Sequence, residues 1–336
     1  MTPPALRAGR DEDAADFIAL IGACWAEYPG CVMDVDGEVP ELRALASYYA
    51  GQGGALWVAE QDGRVVGMVG TRPLGDDAPG AAWEICKMYA YPDQRGSGLA
   101  RTLIDTAEEF ARAHGATAMK LWTDTRFDRA HRFYENRSYL RDGPIRALDD
   151  LSRTLEFTYA KPLTGVVVRR LDAAAAVSAI PRLATVLAEC VNAGAAAGFH
   201  APLAIDRARA TWKRAASQAA LGEKILLAAW ADGTLVGTAT LDLDMPETQR
   251  HRAELHTLLV LPAARRRGIG RQLLRAAETA ALGAGRTLLV LDTPAGGDAE
   301  RLWRAEGWTE RGTVPDWSRT SDGAPEAATF FWKQVG

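Results

Sequence analysis

Glu84 and Glu254 stand 170 residues apart, each on an apolar segment that runs to a proline and then into a loop of arginine and glycine. The first reads Glu84-Ile85-Cys86-Lys87-Met88-Tyr89-Ala90-Tyr91-Pro92, followed by Arg95-Gly96-Ser97-Gly98-Leu99-Ala100. The second reads Glu254-Leu255-His256-Thr257-Leu258-Leu259-Val260-Leu261-Pro262, followed by Arg265-Arg266-Arg267-Gly268-Ile269-Gly270. A carboxylate placed on a strand can accept a proton. A glycine turn that opens a helix can hold phosphate, because unpaired N–H groups and the positive end of the helix dipole converge there. Glycines at 96 and 98, or at 268 and 270, keep a Cβ out of the way, and Arg95 and Arg265 can add charge-assisted bonds. One such loop is weak evidence, since a glycine before a helix is often only a turn. Two copies behind matched strands point to a phosphorylated cofactor in each half.

The elements that must hold these residues repeat with them. Asp62-Gly63 and Asp232-Gly233 each separate two apolar, β-rich runs, the signature of a tight hairpin. Leu99, Leu103, Ile104, Ala107 and Phe110 form a helical stripe ended by His114-Gly115. Ile269, Leu273, Leu274, Ala277 and Ala281 repeat it, with Gly283 and Gly285 as the stop. Strands are expected at 118–122 and 288–291, short helices at 129–136 and 298–306, and closing strands at 154–160 and 329–332. Proline and glycine around residues 161–165 mark a linker, giving domains at 1–162 and 165–336. The fold class is α/β.

Composition narrows the chemistry. Of 336 residues, 48% are hydrophobic and 24% charged, with a formal net charge of −4 from well-mixed acids and bases, so nucleic acid is not an expected partner. The four cysteines lack metal spacing and are too few for a disulfide framework. His114, His131, His200, His251 and His256 also lack metal spacing and read as surface or core residues. No metal is expected. No apolar run approaches membrane-spanning length on this reading, and the expectation is a cytoplasmic protein without a membrane partner. No lysine follows the glycines and the three-glycine dinucleotide pattern is absent, which argues against nucleoside triphosphatases and NAD enzymes.

The pattern Arg-x-x-Gly-x-Gly/Ala after a strand ending in proline (Arg95, Gly98, Ala100; Arg265, Gly268, Gly270) resembles the GNAT superfamily of acetyl-CoA-dependent N-acyltransferases. That resemblance implies two tandem GNAT domains, each a mixed, mostly antiparallel sheet flanked by helices with a splayed cofactor cleft. It implies acetyl-CoA as cosubstrate, its pantetheine along Met88-Tyr89-Ala90 or Leu258-Leu259-Val260 and its diphosphate on residues 95–100 or 265–270. Glu84 and Glu254 would be bases. Four positions separate them from Met88 and Leu258, so on a regular strand each shares a face with that residue. Partial burial would raise their pKa; the alternative is a strand-edge ion pair. The N–H of Met88 or Leu258 would face the thioester oxyanion.

Ala130-His131-Arg132-Phe133-Tyr134 resembles the family segment whose tyrosine reaches the CoA sulfur, which makes Tyr134 a general acid or, alternatively, a packed aromatic. The asparagine many relatives carry three residues earlier is Phe127 here. In the second half the matching tyrosine position is Trp303, whose indole is no useful acid. That half further resembles the tabtoxin-resistance branch of the superfamily, in which Glu254 and Asp292 match two acids; position 122 is tryptophan in the first half. Asp292 could equally cap the next turn. Residues 25–28 with Asp34 and Asp36, and residues 194–200, would shape acceptor pockets suited to a cationic amine. The expected function is acetyl transfer from acetyl-CoA to a primary amine of a small molecule by direct attack. The alternatives are an acyl-CoA-binding module with one or both halves catalytically lost, or a protein N-acetyltransferase. The halves would form a monomeric pseudo-dimer, or the chain a homo-oligomer.

Overall fold

A computed structural model of the chain describes residues 3–75 and 81–336. The chain divides into two compact units, one of residues up to 134 with 141–164, the other of 135–140 with 165–336.

The first unit contains β1 (Ala5–Ala8), α1 (Ala14–Trp25), α2 (Leu45–Gly51), β2 (Ala55–Gln61), β3 (Arg64–Pro73) and β4 (Ala82–Ala90). It continues with α3 (Leu99–Ala113), β5 (Ala118–Asp124), α4 (Asp128–Asn136), β6 (Leu140–Arg141), β7 (Arg146–Ala147) and β8 (Leu155–Pro162). Its sheet runs β1-β2-β3-β4-β5-β8-β6, with β7 also paired to β8. The β1–β2, β2–β3, β3–β4, β5–β8 and β7–β8 pairs are antiparallel and β4–β5 is parallel.

The second unit contains β9 (Val166–Arg170), α5 (Ala173–Asn192), α6 (Ile205–Ala220), β10 (Lys224–Ala231), β11 (Thr234–Asp242) and β12 (Arg252–Val260). It continues with α7 (Ile269–Gly283), β13 (Leu288–Pro294), α8 (Asp298–Ala305), β14 (Thr309–Arg319) and β15 (Pro325–Gln334). Its sheet runs β14-β15-β13-β12-β11-β10-β9, and only β12 with β13 is parallel. Residues 135–140 join this unit: Trp230 Nε1 donates to Ser138 O at 2.9 Å, and the Leu235 N–H donates to Ser138 Oγ at 3.0 Å. Each unit is therefore a mixed, mostly antiparallel sheet flanked by helices.

The hairpins form as expected. Asp62 and Gly63 have φ of 50° and 78°, and Asp232 and Gly233 have 49° and 85°, the two left-handed residues that a type I′ turn requires. The helix after each loop lies close on the sheet because Gly67 and Gly237 carry no Cβ. One added there would stand 3.0 Å from Leu99 Cδ2, or 3.1 Å from Leu273 Cδ1. An ion pair ties that helix to the last strand in both units. Lys161 Nζ sits 2.6 Å from Glu108 Oε1, and Lys333 Nζ sits 2.8 Å from Glu278 Oε1.

Two expectations change. Gly283 is the last residue of α7, and the left-handed stop is Gly285 alone, at φ +72°. The sequence reading found no apolar run near membrane-spanning length, but α5 is a 20-residue helix long and apolar enough to qualify. It is mostly buried inside the second unit, with Ala176, Ala179, Leu183, Ala184, Val186 and Val191 at 0% exposure, the pattern of a core helix. Its alanine-rich composition disguises its hydropathy.

Candidate active site

Each sheet parts just past its glutamate. β4 pairs with β5 only through Ala82/Ala118, Trp83/Met119 and Glu84/Lys120. β12 pairs with β13 only through Arg252/Leu288, Ala253/Leu289 and Glu254/Val290. Beyond those points residues 85–90 and 255–260 have no partner strand on that side among the described residues, an edge of the kind an extended ligand can pair with, though the carbonyls of Ala90 and Val260 accept from Cys24 and Cys190.

The loop that follows is a nest of donors. Gly96 and Gly98 have φ of 78° and 89°; at the equivalent positions Arg266 and Gly268 have 63° and 76°. Arg266 thus adopts the left-handed conformation that glycine supplies in the first copy. Gly98 and Gly268 cap α3 and α7. The N–H groups of Gly96, Gly98 and Ala100, and of Gly268 and Gly270, have no acceptor among the described residues. Ser97 Oγ occupies one further donor, the Leu99 N–H, at 3.2 Å. Gly270 is not a turn glycine as the sequence reading had it. It lies inside α7, where Ala100 lies in α3, and a Cβ there would meet only ordinary contacts at 3.6 and 3.7 Å. Of the arginines, Arg95 is bonded to Glu27, which also takes Arg129 at 3.3 Å. Arg265 Nε instead donates to Val260 O at 3.2 Å, Arg267 pairs with Asp232 at 2.5 Å, and Arg266 reaches Asp298 at 3.5 Å.

The expectation that Glu84 and Met88, or Glu254 and Leu258, share a face rested on regular alternation. A bulge interrupts both strands: Met68 faces Tyr89 while Gly70 faces Cys86, and Thr240 faces Thr257 while Leu241 faces Leu255. The extra residue breaks the period of two, so a spacing of four no longer secures a common face.

The surroundings of the two glutamates differ. Glu84 lies across from Arg72, and the two form an ion pair at 2.8 Å, with the arginine also held by Gln52. The strand-edge ion pair is thus the arrangement observed at Glu84. Cys86 beside it is buried, and burial pushes its thiol pKa well up, away from the thiolate form. Glu254 lies across from Asp242 instead. Asp242 is drawn toward Lys224 at 3.2 Å, and Glu254 stands 4.0 Å from His256 Nδ1, an ion-pair rather than hydrogen-bond separation.

A raised pKa was expected at Glu254. The structure corrects this: proximity to His256 lowers it and raises that of the imidazole. The acid that is raised is Asp292, first by partial desolvation and then by the negative charge of Glu254, with the Trp317 indole pulling the other way. His256 is therefore a residue that sequence reasoning passed over. The signal was present in Arg252-x-Glu254-x-His256, an alternation of charged and titratable residues on β12.

Tyr134 Oη donates to Met88 Sδ at 3.7 Å, so the phenol does reach the parted strand, and burial pushes its pKa up. Trp303 is 5% exposed and its Nε1 has no acceptor among the described residues. Phe127 packs on Tyr28 with ring centroids 4.6 Å apart. Asp34 and Asp36 are engaged locally, Asp34 by the N–H groups of Asp36 and Gly37 and Asp36 by Arg43. Trp25 Nε1 donates to Tyr89 Oη at 3.0 Å. In the second unit the segment after α5 reaches the β14–β15 turn, where the Ala201 N–H donates to Ser321 O at 2.8 Å.

A parted parallel strand pair beside a helix-capping cluster of backbone N–H groups is found twice. The model of the acetyltransferase (GNAT) family matches residues 20–139 and 199–307. The chain belongs to this family. Among curated relatives, an uncharacterized N-acetyltransferase of Escherichia coli, YjgM, is 36% identical over 138 residues, 40% of this chain and 80% of the relative. N-acetyltransferase 8F1 of Rattus norvegicus is 31% identical over 107 residues, 32% of this chain and 46% of the relative. The chain thus spans about half the length of such mammalian relatives. Among solved structures, yncA of Salmonella typhimurium, a putative acetyltransferase with its cofactor acetyl-CoA, aligns at TM-score 0.43 and 21% identity, covering 52% of this chain and 95% of that one.

Proposed function

We propose that this chain moves an acetyl group from acetyl-CoA to the primary amine of a small molecule by direct attack. The observation that carries the reading is the opening of each sheet immediately after a glutamate, beside a helix N-terminus whose donors are uncovered. The residues fit the cosubstrate. Gly96, Gly98 and Ala100, with Arg95, Ser97 and Leu99 around them, would hold a diphosphate in the first cleft, as Arg265 to Gly270 would in the second. Met88-Tyr89-Ala90 and Leu258-Leu259-Val260 would pair with the pantetheine amides, and the Met88 or Leu258 N–H would face the thioester oxygen. The orphaned Trp303 N–H supports a sulfur at that place.

Acetyl-CoA supplies the activated acyl group. The protein's part is to take a proton from the ammonium, hold the amine against the thioester carbon and stabilise the departing thiolate. Glu84 with Tyr134 would serve the first cleft, and Glu254 with Asp292 the second. The buried, high-pKa Cys86 favours direct attack over a covalent relay. The second half's resemblance to the tabtoxin-resistance branch, carried by residues 192–199, 252–255, 289–293 and 315–329, would make Glu254 and Asp292 its two acids. The test is thiol release from acetyl-CoA by the full chain across a panel of small primary amines and N-terminal peptides. Release with small amines is expected. Release with peptides alone would replace this reading with protein acetylation, and CoA binding without release would replace it with a binding module.

A further inference from the structure

The two clefts share a backbone but not a charge pattern. An offset of 170 places Asp242 where the first unit has Arg72, His256 where it has Cys86, Asp292 where it has Trp122, and Lys224 where it has Gly54. In the first unit the glutamate is neutralised by its cross-strand arginine, the thiol beside it is buried, and Trp122 is covered by the Arg146 guanidinium at 4.8 Å from the ring centroid. In the second unit the cross-strand partner is an acid, so two like charges abut across the strands. Lys224 draws one of them away and Glu254 faces His256.

We propose that the clefts are unequal and that His256 takes the proton from the attacking amine in the second one. The inference deepens the acetyltransferase reading and rests on it. His256 is the extra residue of the β12 bulge, and a bulge re-aims the side chain it carries. Its side chain is 65% exposed, so the proton it receives can pass to water. The charged groups around it are Glu254 on its own strand, Lys224 on β10 and Asp242 on β11, while Asp292 on β13 is sensitive to its charge. Glu254 raises the imidazole's proton affinity above its ordinary value, against the opposing effect of partial burial.

The step balances. The ammonium gives one proton to neutral His256, and the resulting amine forms a C–N bond to the thioester carbon. The C–S bond breaks with its electron pair on sulfur, and the second nitrogen proton goes to the thiolate. In the first cleft Glu84 is held by Arg72 and position 86 is a buried cysteine, so no imidazole stands there to share the work of Glu84.

The test is the pH profile of thiol release by the full chain and by His256→Gln. In the wild type kcat/KM should fall as pH drops, because protonated His256 cannot accept. His256→Gln should lower kcat/KM by about 100-fold at neutral pH, flatten that acidic limb, and regain part of the rate with added imidazole, while CoA binding by calorimetry is retained. A His256→Gln enzyme with the wild-type rate and limb would overturn the assignment of His256 and leave acetyl transfer standing. A wild-type chain that releases no thiol with any amine would overturn acetyl transfer itself and this inference with it.

Discussion

Placing a carboxylate at the cap of α7 is the most direct perturbation of the proposed cofactor site. Gly268→Glu meets no steric obstacle, since a Cβ there finds nothing within 4 Å. Its left-handed φ of +76° costs about 1–2 kcal/mol of stability in any residue with a Cβ. The effect on binding is larger. A carboxylate about 5 Å from a diphosphate charge interacts with it by about 3 kcal/mol at an effective dielectric of about 20. A diphosphate carries two such charges, and solvent screening removes part of the sum, so a loss of about 3–6 kcal/mol is expected. At about 1.4 kcal/mol per decade this exceeds a 100-fold loss of affinity. Calorimetry of the full chain with CoA should give two sites for the wild type, one for Gly268→Glu or Gly98→Glu, and none for the double variant. Gly268→Ala carries the same backbone strain without the charge and should lose far less affinity. Two undiminished sites in Gly268→Glu would refute the placement of the diphosphate on this loop.

The repeated ion pair offers an internal comparison. Lys161 and Glu108 are each 3% exposed, whereas Lys333 and Glu278 are 24% and 17% exposed. Lys161→Met should therefore cost about 3 kcal/mol of unfolding free energy and Lys333→Met about 1 kcal/mol. Equal shifts in the urea transitions would show that burial does not set the difference. Trp303→Phe removes an N–H that has no partner in the described protein, so the thermal midpoint should not fall. Loss of a hydrogen bond to the leaving sulfur should reduce kcat about tenfold, and an unchanged kcat with lowered stability would place that N–H in the core instead.

Much of the fold was legible because its signals are local. Asp-Gly at the two hairpins demands left-handed turns wherever it occurs between β-rich runs, and the stripe from Ile269 to Ala281 buries as its spacing requires. The structure sets Glu84 and Glu254 at the last paired positions before the strands part. The raised pKa expected at Glu254 is reversed by His256, and at Glu84 the strand-edge alternative is the one found, since a linear reading assumes a regular strand and a solitary carboxylate. The bulges and the cross-strand partners Arg72 and Asp242 are invisible until the register is known. The membrane-length test failed at α5 for a related reason, because a run of alanines hides how apolar a buried helix is.

The order of residues alone determined that the chain holds one folding pattern twice, with a glycine-containing turn opening a helix at the same place in each copy. Spacing, turn chemistry and helix periodicity act over a few residues and survive duplication intact. Only the tertiary structure decided which charge faces each glutamate, Arg72 in one copy and Asp242 in the other. The charge facing each glutamate comes from a strand 12 residues away in sequence, and the strength of a carboxylate is set by its neighbours in space.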